Sequence, residues 1–129
     1  MQELLLYEYA IIRIVPRVER EEFINAGVIV FCKSTSYLAC RIHLNVERLK
    51  CICPEDDVDL IDIQAHLNSF EAIASGLKTD NHISTLEPAS RFRWLTAVRS
   101  TVIQCSRIHP GRSYLPEAEL KVIFNRMVR

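Results

Sequence analysis

The chain has 129 residues, 49% of them hydrophobic, which suits one domain over residues 1–129 around one core and leaves no room for a second. Sixteen Lys or Arg balance sixteen Asp or Glu, and that balance argues against a bulk polyanion binder, which needs a strongly basic surface. No apolar run approaches the roughly 18 residues of a membrane span, and Leu4 to Leu6 is too short for a signal-peptide core, so a cytoplasmic protein is expected.

The neutral total hides a segregation. Residues 54–87 hold eight acids against one Lys, and residues 88–129 hold eight Lys or Arg against two acids. Such asymmetry marks either a solvated helix or a partner surface. The five Cys (Cys32, Cys40, Cys51, Cys53, Cys105) are odd in number and lie within apolar patterns, which fits reduced, buried thiols better than a disulfide framework.

Leu4 to Val15 is rich in β-branched and aromatic residues and ends at Pro16, which withholds a backbone donor; it reads as a first, central strand. Tyr7, Tyr9, Ile11 and Arg13 share one of its faces, so Arg13 stands at the polar end of an aromatic row. A charged turn through Arg20 and Glu22 leads into a second strand, Phe23 to Phe31. Strict alternation puts Phe23, Asn25, Gly27, Ile29 and Phe31 on one face and Ile24, Ala26, Val28, Val30 and Cys32 on the other. Both faces are largely apolar, so the strand is interior. Gly27 in its middle marks a bulge or the close approach of another backbone or ligand. Asn25 must find partners in an apolar layer or cost about 1–3 kcal/mol. It serves either the turn after Arg20 or, with Arg20 and Glu22, the wall of a binding site.

Tyr37 to Leu44 is a third strand with one core face and one solvent face, and it leaves His43 at the surface. Asn45 caps a short helix from Val46 to Cys51. A longer helix begins around Pro54 to Asp57, carries the apolar stripe Leu60, Ile63, Leu67, Phe70 and Ala74, and ends at Gly76. Asp56, Asp57 and Asp59 in its first turn favour the helix dipole. Leu77 to Pro88 is polar and aperiodic, with a turn at Asp80-Asn81. A basic block follows, Arg91-Phe92-Arg93-Trp94-Leu95 and then Arg99-Ser100-Thr101, which leads into a strand over Val102 to Ser106 and on to His109, Pro110 and Gly111. The last helix opens at Ser113 to Pro116 and buries Leu120, Ile123, Phe124 and Met127.

Two stretches taken together resemble a bacterial family of unknown function, DUF3037. One is Tyr9 to Phe31, with Arg20, Glu22, Asn25, Gly27 and Val28 in a pattern of charged turn, Asn, Gly and apolar strand. The other is Arg91 to Gly111, with Arg91 to Leu95, Arg99-Ser100-Thr101, Gln104, Ser106, His109 and Gly111. With the final helix the similarity spans nearly the whole chain. The family name carries no biochemistry. Genes of this kind that sit beside genes for HipA-like kinases imply a partner or regulator in a two-gene, toxin–antitoxin-like module.

The second block offers cations, hydroxyls, an imidazole and a glycine, a set suited to a phosphate or carboxylate. Trp94 and Phe92 between Arg91 and Arg93 suit base stacking, but a single Trp in a half-buried run is more often core, and the neutral charge weighs against nucleic acid. For an enzyme, His109 is the candidate general base, Glu22 its partner and Arg99 the electrostatic stabiliser. No nucleophile elbow, phosphate-cradling loop or two-His metal helix is present. Cys51-Ile52-Cys53 lacks the two-residue gap of a zinc knuckle, so neither metal nor cofactor is expected.

The expected architecture is α+β: an antiparallel sheet of four or five strands packed on one face by two longer helices. The binding residues nominated are Arg13, Arg20, Glu22, Asn25, Gly27, Arg91, Trp94, Arg99, Ser106, His109 and Gly111. The first reading is a non-catalytic binding or regulatory protein that recognises a protein partner, with a kinase-like one implied by the resemblance. The alternative is a small hydrolase or nucleic-acid-processing enzyme using His109 and Glu22.

Overall fold

The computed structural model of the chain describes residues 3–54, 58–76, 82–97 and 101–129. Asp56, Asp57, the Asp80-Asn81 turn, Arg99 and Ser100 lie outside them.

The chain is α+β, with a five-stranded antiparallel sheet and three helices longer than two turns among the described residues. The strands are β1 (Leu5–Ile14), β2 (Ile24–Cys32), β3 (Tyr37–Ile42), β4 (Ile103–Cys105) and β5 (His109–Ser113). They run in the order β3-β2-β1, with both β4 and β5 on the far side of β1. β4 pairs with Ile12 to Ile14 and β5 with Leu5 to Tyr9. β1 is therefore central, and β4 and β5 act as one edge strand interrupted at residues 106–108. β5 was not assigned as a strand from the sequence, where Pro110 and Gly111 are both poor strand formers. An edge position tolerates Pro110, whose missing N–H is not needed there.

Strict alternation along β2 fails at Gly27. The β1–β2 register passes from Ile12 opposite Gly27 to Arg13 opposite Asn25, so Ala26 is an extra residue in a bulge. Past the bulge the faces exchange. Ile24 and Ala26 join Ile29 and Phe31 in one buried cluster, while Val28, Val30 and Cys32 belong to the other. Gly27 is required because a Cβ there would stand 2.8 Å from the carbonyl oxygen of Arg41 on β3.

Among the described residues four α-helices complete the fold: α1 (Val46–Lys50), α2 (Leu60–Ser75), α3 (Pro88–Thr96) and α4 (Pro116–Met127). The caps at Asn45 and Gly76 are the expected ones, but α2 begins at Leu60 and not around Pro54 to Asp57, with Asp59 as its N-cap where a first-turn position was expected. Asn45 accepts from the N–H of Arg48 at 3.0 Å, Asp59 accepts from the N–H of Asp62 at 3.1 Å, and Gly76 closes α2 in the left-handed conformation. The basic run around Arg91 is helical, with Phe92 and Leu95 buried one turn apart.

The helices do not share one face. α2 and α3 pack with Ala10, Ile12, Ile14, Ile29 and Phe31 in one core, where Phe31 and Phe92 stack 5.1 Å apart. α4 covers the opposite face through Ile123, Phe124 and Val128, against Tyr7, Ile11, Val28 and Val30. Two apolar faces on β1 and β2 require a helical layer on each side, and the short strands supply no other cover.

Candidate functional site

At the C-terminal end of β1, on the α4 side, Arg13 lies opposite Asn25. Its guanidinium sits 4.1 Å from the centroid of the Phe23 ring, a cation–π contact. Asn25 donates through Nδ2 to the backbone oxygen of Met127 at 2.9 Å, and Arg48 donates to the oxygen of Val128 at 2.9 Å. The carboxyl end of α4 is thus answered by an amide and a cation, as its dipole demands. Asn25 serves this helix and not the turn after Arg20.

The same corner holds polar atoms without hydrogen bonds. Arg13 Nε and Asn25 Oδ1 are buried and unbonded among the described residues. Glu22 Oε1 has no hydrogen bond of good geometry either, although it contacts Arg20 Nε at 2.6 Å as an ion pair, so its charge is answered. Arg13 has no carboxylate partner among the described residues. Phe23 beside it is 43% exposed, and Met127, whose oxygen Asn25 bonds, is 37% exposed.

The other end of β1 is filled. Tyr9 lies opposite His109, their rings 5.3 Å apart, and Tyr7 lies opposite Gly111. A Cβ on Gly111 would fall 2.4 Å from the Tyr7 ring, so the glycine makes room for the tyrosine. Burial pushes the Tyr7 phenol above its usual value, and Glu119 and Tyr9 push it the same way.

Ser106 closes the gap between β4 and β5. Its N–H donates to the oxygen of Ile11 at 2.8 Å, its Oγ accepts from the N–H of Ile11 at 2.8 Å, and the hydroxyl donates to the oxygen of Arg107 at 2.9 Å. A side chain here replaces the missing ladder acceptor.

The nominated residues therefore divide. Arg13, Glu22, Asn25 and Arg20 come together at one end of the sheet. His109 and Gly111 stand at the other, since Arg13 and Tyr9 are four residues apart on β1, about 13 Å at the usual strand rise. Glu22 lies farther still, beyond Asn25, so a hydrogen-bonded His109–Glu22 pair cannot form in this register. Arg91 is committed to the fold: Nη1 donates to the oxygens of Ile73 and Ala74 at 2.8 and 2.9 Å, and Nε to that of Leu86 at 3.0 Å, which closes the C-terminus of α2. Gly27 belongs to the bulge. Trp94 lines a cavity on the opposite face of the sheet, with Asp62 and His66, and Arg99 lies outside the described residues.

Sequence reasoning gave no functional role to Phe23 or Arg48, and it placed Met127 on the buried face of the last helix, where Met127 is instead 37% exposed and Val128 fills the core. Phe23 next to a charged turn was the available signal; the backbone oxygens at the end of α4 left none. Among the described residues no group of three or more His, Cys, Asp or Glu is placed to hold a metal ion, and no helix is long and apolar enough to cross a membrane.

Residues 9–128 match the family model described as protein of unknown function, DUF3037, and the chain belongs to that family. No curated protein and no solved structure matches it.

Proposed function

We propose that this member of the DUF3037 family is a non-catalytic binding or regulatory protein that recognises a protein partner through the corner formed by Arg13, Glu22, Phe23, Asn25 and Met127. The observation that carries this reading is Arg13: a half-buried guanidinium, stacked on an exposed phenylalanine and without a carboxylate among the described residues. A buried polar group left unbonded costs about 1–3 kcal/mol, and a partner carboxylate or phosphate would recover that in a bidentate contact. Arg, aromatic and Met side chains are also the types enriched at the centres of protein interfaces. The family resemblance makes a kinase encoded beside this chain the first partner to try.

The hydrolase reading is not supported by a second observation, because it required His109 and Glu22 to meet. The reading is tested by affinity capture of the tagged chain from the cells that encode it, followed by mass spectrometry, in parallel with Arg13→Gln and Phe23→Ala. A stoichiometric protein held by the wild type and lost from both variants, with unchanged thermal melting, is expected. Equal capture by folded variants rejects this corner as the docking surface.

A further inference from the structure

The two edges of the sheet differ. On one side β4 and β5 are interrupted at residues 106–108, and Pro110 withholds a donor from the outer edge of β5. On the other side β3 has neither a proline nor a lysine between Tyr37 and Ile42 and pairs only with β2. His43 donates its N–H to the oxygen of Ala26 at 2.7 Å, and the β2–β3 register runs without a slip from Ile42 opposite Gly27 to Tyr37 opposite Cys32. Alternation in an antiparallel pair therefore turns Tyr37, Ala39 and Arg41 toward β2 and aims the N–H and C=O groups of Leu38, Cys40 and Ile42 outward. Those groups have no hydrogen bond among the described residues. An unguarded edge of this kind is a template for another strand.

Charge names the occupant. On the α4 side the Arg41 guanidinium sits 4.9 Å from the centroid of the Phe124 ring, and Tyr37 packs against the same layer. Glu117 stands two turns before Phe124 on α4. Burial, and after it the charge of Glu117, push the Tyr37 phenol above its usual value, so α4 lies along β3 with Glu117 at the Tyr37 end and Phe124 at the Arg41 end. Neither Arg41 nor Glu117 has an ion pair among the described residues. The edge thus carries an unanswered cation at one end and an unanswered carboxylate at the other, and an antiparallel copy of itself brings each to its opposite.

We infer that the outer edge of β3 pairs with β3 of a second copy of this chain about a two-fold axis at Ala39, which joins the two sheets into one. Leu38 and Cys40 of each copy then lie opposite Cys40 and Leu38 of the other and exchange their free backbone bonds. Arg41 lies opposite Tyr37 of the other copy, beside its Glu117, and the small side chain of Ala39 admits close approach at the axis. The Arg13 corner lies on β1 and the start of β2, outside this edge, and capture of a partner there does not depend on dimerisation.

The test is sedimentation velocity of the intact chain in reducing buffer over a concentration series, and a reversible monomer–dimer equilibrium is expected. Ala39→Arg sets like charges against each other at the axis and should weaken the dimer about tenfold. Arg41→Glu sets a carboxylate beside Glu117 of the other copy and should also weaken it about tenfold, since an exposed pair is lost on each side of the axis. Arg41→Glu combined with Glu117→Arg exchanges the signs of both partners and should restore the wild-type affinity, a recovery that a merely structural role of Arg41 would not give. Should Ala39→Arg misfold by circular dichroism, the charge exchange decides alone. A chain that stays monomeric at every concentration, a dimer undiminished in folded Ala39→Arg, or a charge exchange that fails to recover the loss caused by Arg41→Glu overturns the inference.

Discussion

At one end of β1, on the side facing α4, Tyr7 and Tyr9 meet Gly111 and His109; at the other, Arg13 meets Asn25. Both ends carry residues that look functional in a sequence. At the first, the glycine is the space into which Tyr7 fits and the histidine packs on a ring. At the second, an amide reaches a helix terminus with its nitrogen and leaves its oxygen unbonded, and a guanidinium has an aromatic face but no counter-charge among the described residues. Residue type does not separate the two; what separates them is whether bonding capacity has been used up inside the fold.

Substitutions at the residues the fold consumes should have the largest effects on stability. Gly27→Ala forces a Cβ to within 2.8 Å of the Arg41 carbonyl oxygen, which cannot withdraw without breaking the β2–β3 ladder. A loss of about 3 kcal/mol is expected in chemical denaturation. Arg91→Ala leaves the oxygens of Ile73, Ala74 and Leu86 without their donor and should cost about 2 kcal/mol, with hydrogen exchange accelerated in the last turn of α2. Ser106→Ala strands the N–H of Ile11 beside β1. About 1 kcal/mol is expected, and an effect near zero would mean that water replaces the hydroxyl.

The alkaline limb of stability sharpens the same contrast. The Tyr7 phenol is raised above its ordinary value of 10.0 by burial first, then by Glu119 and Tyr9. Above about pH 10 the unfolded chain releases this proton while the folded one keeps it, so stability falls as pH rises from there toward the folded value. Tyr7→Phe should make that fall shallower in melting curves from pH 9 to 11. An unchanged slope would remove Tyr7 as its source.

Arg13→Gln is expected to have the smallest effect on folding, about 0.5 kcal/mol, since the cation has no ion pair among the described residues to lose and only a partly exposed contact with the Phe23 ring. It should nevertheless remove the partner.

Much of the fold is legible in the sequence. The first three strands, the caps at Asn45 and Gly76 and the apolar stripe of α2 all follow from periodicity and local chemistry, because each is decided within a few residues. The two-sided placement of the helices is not local. It follows from the two apolar faces of β1 and β2 taken together; the bulge at Ala26 and Gly27 decides which β2 residues meet which layer, and a glycine announces that a bulge is possible without saying where the register slips. β5 was hidden by Pro110 and Gly111, residues that strands disfavour except where, as here, β1 offers an edge. The site residues were legible as polar groups in apolar company. Which ends of the sheet they reach depends on strand register, and so the separation of His109 from Glu22 was out of reach.

The most direct test of the central claim is hydrogen–deuterium exchange on the captured complex, compared with the free chain. Protection at the start of β2 and the end of α4, around residues 23–25 and 127–128, with exchange at Tyr7, Tyr9 and residues 109–111 unchanged, is the result this account requires. Protection confined to the His109 end, with the Arg13 corner exchanging as in the free chain, would contradict it.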